Sequence, residues 1–400
     1  MFTLSTDIAI NYYQGMKVLA DQYLYKLDEY LPAEAELHRF DPAVGFPLDA
    51  VNYDALLIRT VTEINPKTLP KPGKLKFIGT ATAGVDHVDT EWLKEIGVGF
   101  GDAAGCNAIA VGEYVLTGLM KWALEREVNL REKSVCVVGC GHTGGKVISL
   151  LNQFEIPNFG YDPPKQDREE GFESVSPDEL LSCDILTFHV PLTKTGVYPT
   201  HHLFNKDWLV HPFDLVVNAS RGGVVDEEAL MGGLKEGSLG DMILDVWEGE
   251  PLFRDDVAQN AFIATPHIAG YSKESKERAS RMVVEQMGHF FGFEIGGVNS
   301  ISGGKVDEIS RGKGVGKFEG EGDEESGEGV YEKIVVEKVG AEEGPPREKP
   351  IRLRMAEQIW RESNISHYDR ELRKLIGVED LEKGRSFAKL RSETELREEW

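Results

Sequence analysis

The chain has 400 residues, enough for about two or three domains with buried cores. Its hydrophobic content of 41% is ordinary for a soluble globular protein. A formal charge of −24 argues against a nucleic-acid or acidic-membrane partner, because both would repel it.

From Met16, "MKVLAD" begins a strand-like run, and strand and helix patterns then alternate to about Gly292. Alternation of this kind predicts an α/β architecture with parallel sheets. The most apolar segment, Ala108 to Leu124, contains Glu113 and Lys121, so no transmembrane span is expected. The first fifteen residues lack the basic start and apolar run of a signal peptide. Four cysteines, Cys106, Cys136, Cys140 and Cys183, have no CxxC spacing and read as reduced, cytosolic thiols. Cys140 lies inside a glycine turn and is expected to be sensitive to oxidation.

That turn is "VCVVGCGHTGGK", residues 135 to 146. Val135, Val137 and Val138 suit a buried strand, and Val147, Ile148, Leu150 and Leu151 recur at helical spacing. A second strand pattern, "NFGYD", ends on Asp162, 23 positions beyond Gly139. In a dinucleotide fold Gly139 makes the tight turn, Gly141 admits the pyrophosphate, and Gly144 lets helix and strand pack closely. The helix N-terminus attracts phosphate, and Asp162 would accept the ribose hydroxyls and repel the extra phosphate of NADP. A flavin or S-adenosylmethionine site opens similarly, and a glycine loop with no ligand remains the plain alternative.

Three later strand ends carry reactive side chains. "VVNASRGGVVDEEAL" places Arg221 just past a strand, at the carboxyl edge where open α/β sheets bind ligands. "ILDVWEGEP" follows with Asp245 and Glu250, and "ATPHIAGYS" with His267. A lone arginine is usually a surface ion pair and a lone histidine usually structural; three strand ends in succession favour chemistry. Oxidising a 2-hydroxy acid needs a base, a cation for the carboxylate and a hydride acceptor. His267 suits the base, Glu250 would orient the imidazole, and Arg221 would clamp the carboxylate. No metal is expected.

Between 301 and 329 the chain holds nine glycines and eight acids, a composition that favours disorder. From Tyr331, "YEKIVVEKV" again reads as a strand and "RLRMAEQIW" as an amphipathic helix.

"VGCGHTGG…YD", "NASRGGVVDEEAL", "LDVWEGEP" and "TPHIAGYS" together resemble the D-isomer-specific 2-hydroxyacid dehydrogenases, in that family's order and from about Met16 to Gly292. The resemblance implies Arg221, Glu250 and His267 as catalytic triad and NAD as cofactor. It assigns the cofactor to Gly139, Gly141, Gly144, Asp162, Val190, Ala219, Ser220, Asp245 and Gly270. Val190 stands where threonine is common, which removes one side-chain contact.

"LLIRTVTEIN", "FIGTATAGVDHVD", "GCNAIAVGEYV" and "HIAGYS" are similar to the branch of the family that oxidises 4-phospho-D-erythronate to 2-oxo-3-hydroxy-4-phosphobutanoate in vitamin B6 synthesis. By that likeness Thr60, where serine is usual, Thr82 and Tyr271 contact substrate. Arg59 is a candidate for the distal phosphate, with a salt link between domains as its alternative role. The implied organisation is an extension at 1–15, a substrate domain at 16–107 and 270–297, and an inserted Rossmann NAD-binding domain at 108–269. A linker at 298–330 and a small α+β dimerisation module at 331–400 follow, giving a cytoplasmic homodimer. A phosphoglycerate- or glyoxylate-type dehydrogenase, and a non-catalytic NAD-sensing protein on the same fold, stay open as alternatives.

Overall fold

The computed structural model describes residues 15–295, 360, 363–394 and 396–399. The expected linker at 298–330 and nearly all of the expected extension lie outside the described residues. So do the strand expected at Tyr331 and all but Trp360 of the helix expected after it.

Two parallel sheets form the frame. The first runs in the order β2-β1-β3-β4-β5, from β1 (Lys17–Asp21), β2 (Glu36–Phe40), β3 (Ala55–Ile58), β4 (Phe77–Thr80) and β5 (Gly99–Gly101). The chain then crosses through α1 (Ala108–Glu125) to a second sheet of β6 (Val135–Val138), β7 (Asn158–Tyr161), β8 (Ile185–Phe188), β9 (Phe213–Asn218), β10 (Leu239–Leu244) and β11 (Ile263–Ala264). Its order is β11-β10-β9-β8-β6-β7, with a reversal beside β6. Ligands in open α/β sheets bind outside the strand ends at such a reversal.

The central strands are buried on both faces, which explains their unbroken apolar runs. Val135 and Val137 face α1 and α2 (His142–Gln153) in one cluster; Cys136 and Val138 face Phe188, Phe204 and Trp247 in another. Period-two alternation thus feeds two separate cores from one strand. The chain returns to the first sheet through α4 (Lys273–Phe291), after α3 (Glu227–Glu236), and seats Val283, Val284 and Met287 against Val18 and Leu57.

The described tail packs against the second sheet. Its helices α5 (Ile365–Arg373) and α6 (Asp380–Ser392) send Leu372 and Phe387 into the same cluster as Trp247 and Phe253. Leu375 and Ile376 pack against that cluster too. Arg373 donates to the carbonyls of Ala258 and Ala261, and Lys383 pairs with Asp255 at 2.6 Å. Arg397 pairs with Glu113, and Arg278 meets Glu399 at 2.7 Å.

Candidate active site

The register of the second sheet lines up the strand ends. Tyr161, Val138, Phe188, Asn218, Leu244 and Ala264 form one continuous row of paired positions. Each candidate of this sheet lies just past that row. Asp162 follows β7, Gly139 follows β6, Val190 lies beyond β8, Ala219, Ser220 and Arg221 follow β9, Asp245 and Glu250 follow β10, and His267 follows β11. Residues spread over more than a hundred positions reach one edge because the strands are parallel and in register.

The glycine turn has the form the motif requires. Gly139 adopts φ +89°, and its amide donates to the Tyr161 carbonyl at 2.9 Å. A Cβ on Gly144 would lie 1.8 Å from the Gly139 carbonyl oxygen, so strand and helix approach too closely for any side chain. Gly141 is the N-cap of α2 with no side-chain cap, and the space beside its Cα is open. The first-turn amides of α2 therefore lack a side-chain acceptor and fit a pyrophosphate. Asp162 is fixed at the far side: Oδ2 accepts from the Cys140 amide at 2.8 Å and Oδ1 from the Lys165 amide at 2.9 Å. Val190 packs on the turn, its Cγ1 standing 2.6 Å from where a Gly139 Cβ would be.

Cys140 departs from expectation. Its side chain points inward, 2% exposed, and burial pushes the thiol pKa up to about 12. A buried thiol without thiolate character resists oxidation, so the turn is not a redox-sensitive point.

Glu250 and His267 form a pair. Glu250 Oε2 lies 2.8 Å from His267 Nδ1, while Oε1 accepts from the Trp247 amide at 2.9 Å. Burial alone would raise the Glu250 carboxyl; His267, by charge and hydrogen bond, outweighs it and holds the group below its ordinary range. The carboxylate fixes the proton on Nδ1 and leaves Nε2 as an acceptor. His267 itself adopts φ +59°, a conformation held by the loop around it.

Asp245 holds that loop. Its oxygens accept from Thr265 Oγ1 at 2.7 Å, the Ile268 amide at 2.8 Å and the Ala269 amide at 2.9 Å. Only 1% exposed, its carboxyl is raised by burial above the ordinary range. The sequence assigned Asp245 to the cofactor; in the structure its carboxylate is turned into the His267 loop. Gly270 follows, close enough to Asn107 that a Cβ would lie 2.5 Å from Nδ2.

Arg221 reaches toward the first sheet. Nε pairs with Asp86 Oδ2 at 3.0 Å and Nη1 donates to the Ser220 carbonyl at 2.8 Å. Nη2 lies against Gly84, where a Cβ would stand 1.8 Å away. Thr82 is in the same loop: its hydroxyl donates to the Gly84 carbonyl and shares a hydrogen bond with Thr80, which also bonds His87. Burial lowers His87 to about 4, so it stays neutral there. Thr60 is exposed at the end of β3. Arg59 pairs with the fully buried Asp21 at 3.0 Å, within the first sheet, so it forms no link between the two sheets.

Residues 112–269, the second sheet and its helices, match the model of the D-isomer specific 2-hydroxyacid dehydrogenase NAD binding domain. The erythronate-4-phosphate dehydrogenase of Escherichia coli O139:H28 is 42% identical over 286 residues, covering 70% of this chain and 74% of that protein. The chain belongs to the D-isomer-specific 2-hydroxyacid dehydrogenase family. The enzyme of the same name from Edwardsiella ictaluri is 44% identical over 277 residues, 66% of this chain and 73% of that one. Among solved structures, a Thermus thermophilus protein superposes with a TM-score of 0.57 at 26% identity, over 70% of this chain and 98% of its own. The D-lactate dehydrogenase of Aquifex aeolicus, complexed with NAD and lactic acid, shares the fold: TM-score 0.53, 23% identity, 69% of this chain and 95% of its own.

Three contacts of this dehydrogenase-family site escaped sequence reasoning. Asp86 on Arg221, and Lys276 and Arg391 around Tyr271, bring together residues far apart in the chain with no motif to mark them. Elsewhere, His201, His202 and Glu248 gather closely enough to share a metal ion, a cluster the sequence did not suggest.

Proposed function

We propose that this chain oxidises 4-phospho-D-erythronate to 2-oxo-3-hydroxy-4-phosphobutanoate with NAD, a step of vitamin B6 synthesis. The observation that carries the reading is the hydrogen-bonded Glu250–His267 pair, set on the same row of strand ends as Arg221 and the glycine turn. A relative named for that activity, 42% identical over most of both chains, supports the choice of substrate.

The residues divide the work. Amides of the first turn of α2, opened by Gly141, hold the pyrophosphate, and Asp162 takes the ribose hydroxyls. Val190, Ala219, Ser220 and Gly270 line the rest of the cofactor site, with Asp245 behind His267. NAD, when bound, supplies the hydride acceptor. Arg221 grips the substrate carboxylate in place of part of its contact with Asp86. His267 takes the hydroxyl proton on Nε2, and Glu250 steadies the imidazolium that results. Thr60, Thr82 and Tyr271 contact the substrate.

The same reading takes 16–107 with 270–297 as the substrate domain and 108–269 as the NAD-binding domain. It takes the protein as a cytoplasmic homodimer joined through residues 331–400. Crossing and return of the chain through α1 and α4 support the division. Light scattering of the full chain at micromolar concentration tests the dimer, and a monomeric mass counts against it.

The test of activity is NADH formation across a panel of 4-phospho-D-erythronate, 3-phosphoglycerate, D-glycerate and glycolate. The highest kcat/KM is expected for 4-phospho-D-erythronate. A higher value for any other acid overturns the substrate assignment, and no turnover with any overturns catalysis.

A further inference from the structure

Tyr271, in the loop that follows His267, is flanked by two cations. Arg391, at the end of α6, donates from Nε to the Tyr271 hydroxyl at 3.1 Å, and its guanidinium carbon is 5.9 Å from the ring centroid. Lys276, in the first turns of α4, places Nζ 4.9 Å from the same centroid. Among the described residues, neither has a carboxylate oxygen within 4.0 Å. Other cations at the seams of this molecule are paired: Arg59 with Asp21, Arg278 with Glu399, Lys383 with Asp255, Arg397 with Glu113.

Two partly buried like charges beside one ring are unfavourable without a counter-ion. The strain registers on Lys276, whose pKa is lowered by burial first and then by Arg59 and Arg391. For Arg391 burial opposes the charge, but Tyr271, Glu250 and Asp245 outweigh it and raise the pKa. The cluster therefore borders the carboxylate that holds His267. In a chain of net charge −24, a local excess of positive charge next to the catalytic pair is a place for an anion.

We propose that Lys276, Arg391 and the Tyr271 hydroxyl form the subsite for the phosphate group of the substrate. The proposal rests on the reading of a phosphorylated 2-hydroxy acid as substrate. A phosphate dianion neutralises both cations and offers three acceptor oxygens. Arg391 keeps N–H donors beyond the one on Tyr271 and can present a fork, while Lys276 acts as a point charge. The Tyr271 hydroxyl accepts from Arg391, so its own proton is free to donate to a phosphate oxygen. A consequence is that the tail, through Arg391, completes the substrate site.

Free inorganic phosphate shares this chemistry, so two experiments on the full chain separate the sources. The first compares kcat/KM for 4-phospho-D-erythronate and unphosphorylated D-erythronate in wild type, Lys276→Gln, Arg391→Gln and the conservative Arg391→Lys. Each glutamine variant is expected to lower the preference for the phosphorylated acid by roughly ten- to a hundredfold, mainly through KM, and Arg391→Lys to recover part of it. A preference left unchanged, or equal losses on both acids, overturns the proposal. The second follows binding of inorganic phosphate by calorimetry. Binding in wild type that is lost in Lys276→Gln supports the subsite, even if 4-phospho-D-erythronate is not turned over and the functional reading fails. Absence of phosphate binding in wild type, or binding unchanged in Lys276→Gln, overturns it.

Discussion

Glu250 holds His267 by a 2.8 Å contact between a carboxylate oxygen and Nδ1, and the Trp247 amide holds Glu250 in turn at 2.9 Å. The imidazole is thereby oriented from behind, with Nε2 left for a substrate proton. Catalysis is read from this pair and from the row of strand ends that presents it.

Replacing the base tests its role. His267→Ala is expected to lower kcat by roughly two to four orders of magnitude, the usual contribution of a positioned general base. NAD affinity, measured by fluorescence titration, stays close to wild type because the glycine turn is untouched. Turnover within threefold of wild type would remove His267 from the chemistry.

Glu250→Gln acts through the imidazole. The Glu250 carboxyl is held below its ordinary range, so it is ionised at neutral and mildly acid pH and favours the protonated ring. Removing the charge makes the imidazolium less stable. The acid limb of the pH–rate profile should move to lower pH, and kcat should fall roughly ten- to a hundredfold with the lost charged hydrogen bond. A limb that stays in place assigns Glu250 to structure alone.

Two glycines separate folding from cofactor binding. Gly144→Ala places a Cβ 1.8 Å from a backbone oxygen and should reduce stability and NAD binding together. Gly141→Ala meets no atom within 4 Å, so its melting temperature should match wild type. NAD affinity should nonetheless fall, because the methyl group stands where the pyrophosphate approaches. Unchanged NAD affinity in Gly141→Ala would place the cofactor elsewhere.

The proposed role of Asp162 is to set the choice of dinucleotide. Wild type should prefer NAD to NADP, and Asp162→Ala should lose about 1.5–3 kcal/mol of that preference. Equal use of both cofactors by wild type contradicts this assignment.

How much of this was visible in the sequence follows from what each feature depends on. The strands β6, β9, β10 and β11 and the residues just past them were legible, because apolar runs ending in Gly139, Arg221, Asp245 and His267 are local patterns. Parallel register then brings those ends together without further information. Asp86, Lys276 and Arg391 were not legible, since each acts through a partner far away in sequence. A motif position fixes the backbone but not which way the side chain points: Cys140, expected to be open to oxidation, is buried, and the Asp245 carboxylate bonds into the His267 loop. Both side chains turn inward. In the tail, Leu372 and Phe387 join the second sheet's core through contacts distant in sequence, which no local pattern marks.

Docking of the tail is open to a stability test. Glu113 is 1% exposed and pairs with Arg397, 284 positions further along the chain. Arg397→Ala removes the arginine from that buried pair, and breaking a buried pair from one side costs about 3–5 kcal/mol. A lower denaturation midpoint and faster protease cleavage after α6 are expected. No change in either would mean that the tail docks without this pair.

In the proposed mechanism a 2-hydroxy acid lies between Arg221 and His267. The most direct measurement is a crystal structure of the full chain with NAD and 4-phospho-D-erythronate bound, trapped in Glu250→Gln. The carboxylate is expected on the Arg221 guanidinium and the 2-hydroxyl within about 3.2 Å of His267 Nε2. A carboxylate bound away from Arg221, or a 2-hydroxyl facing away from His267, would contradict it.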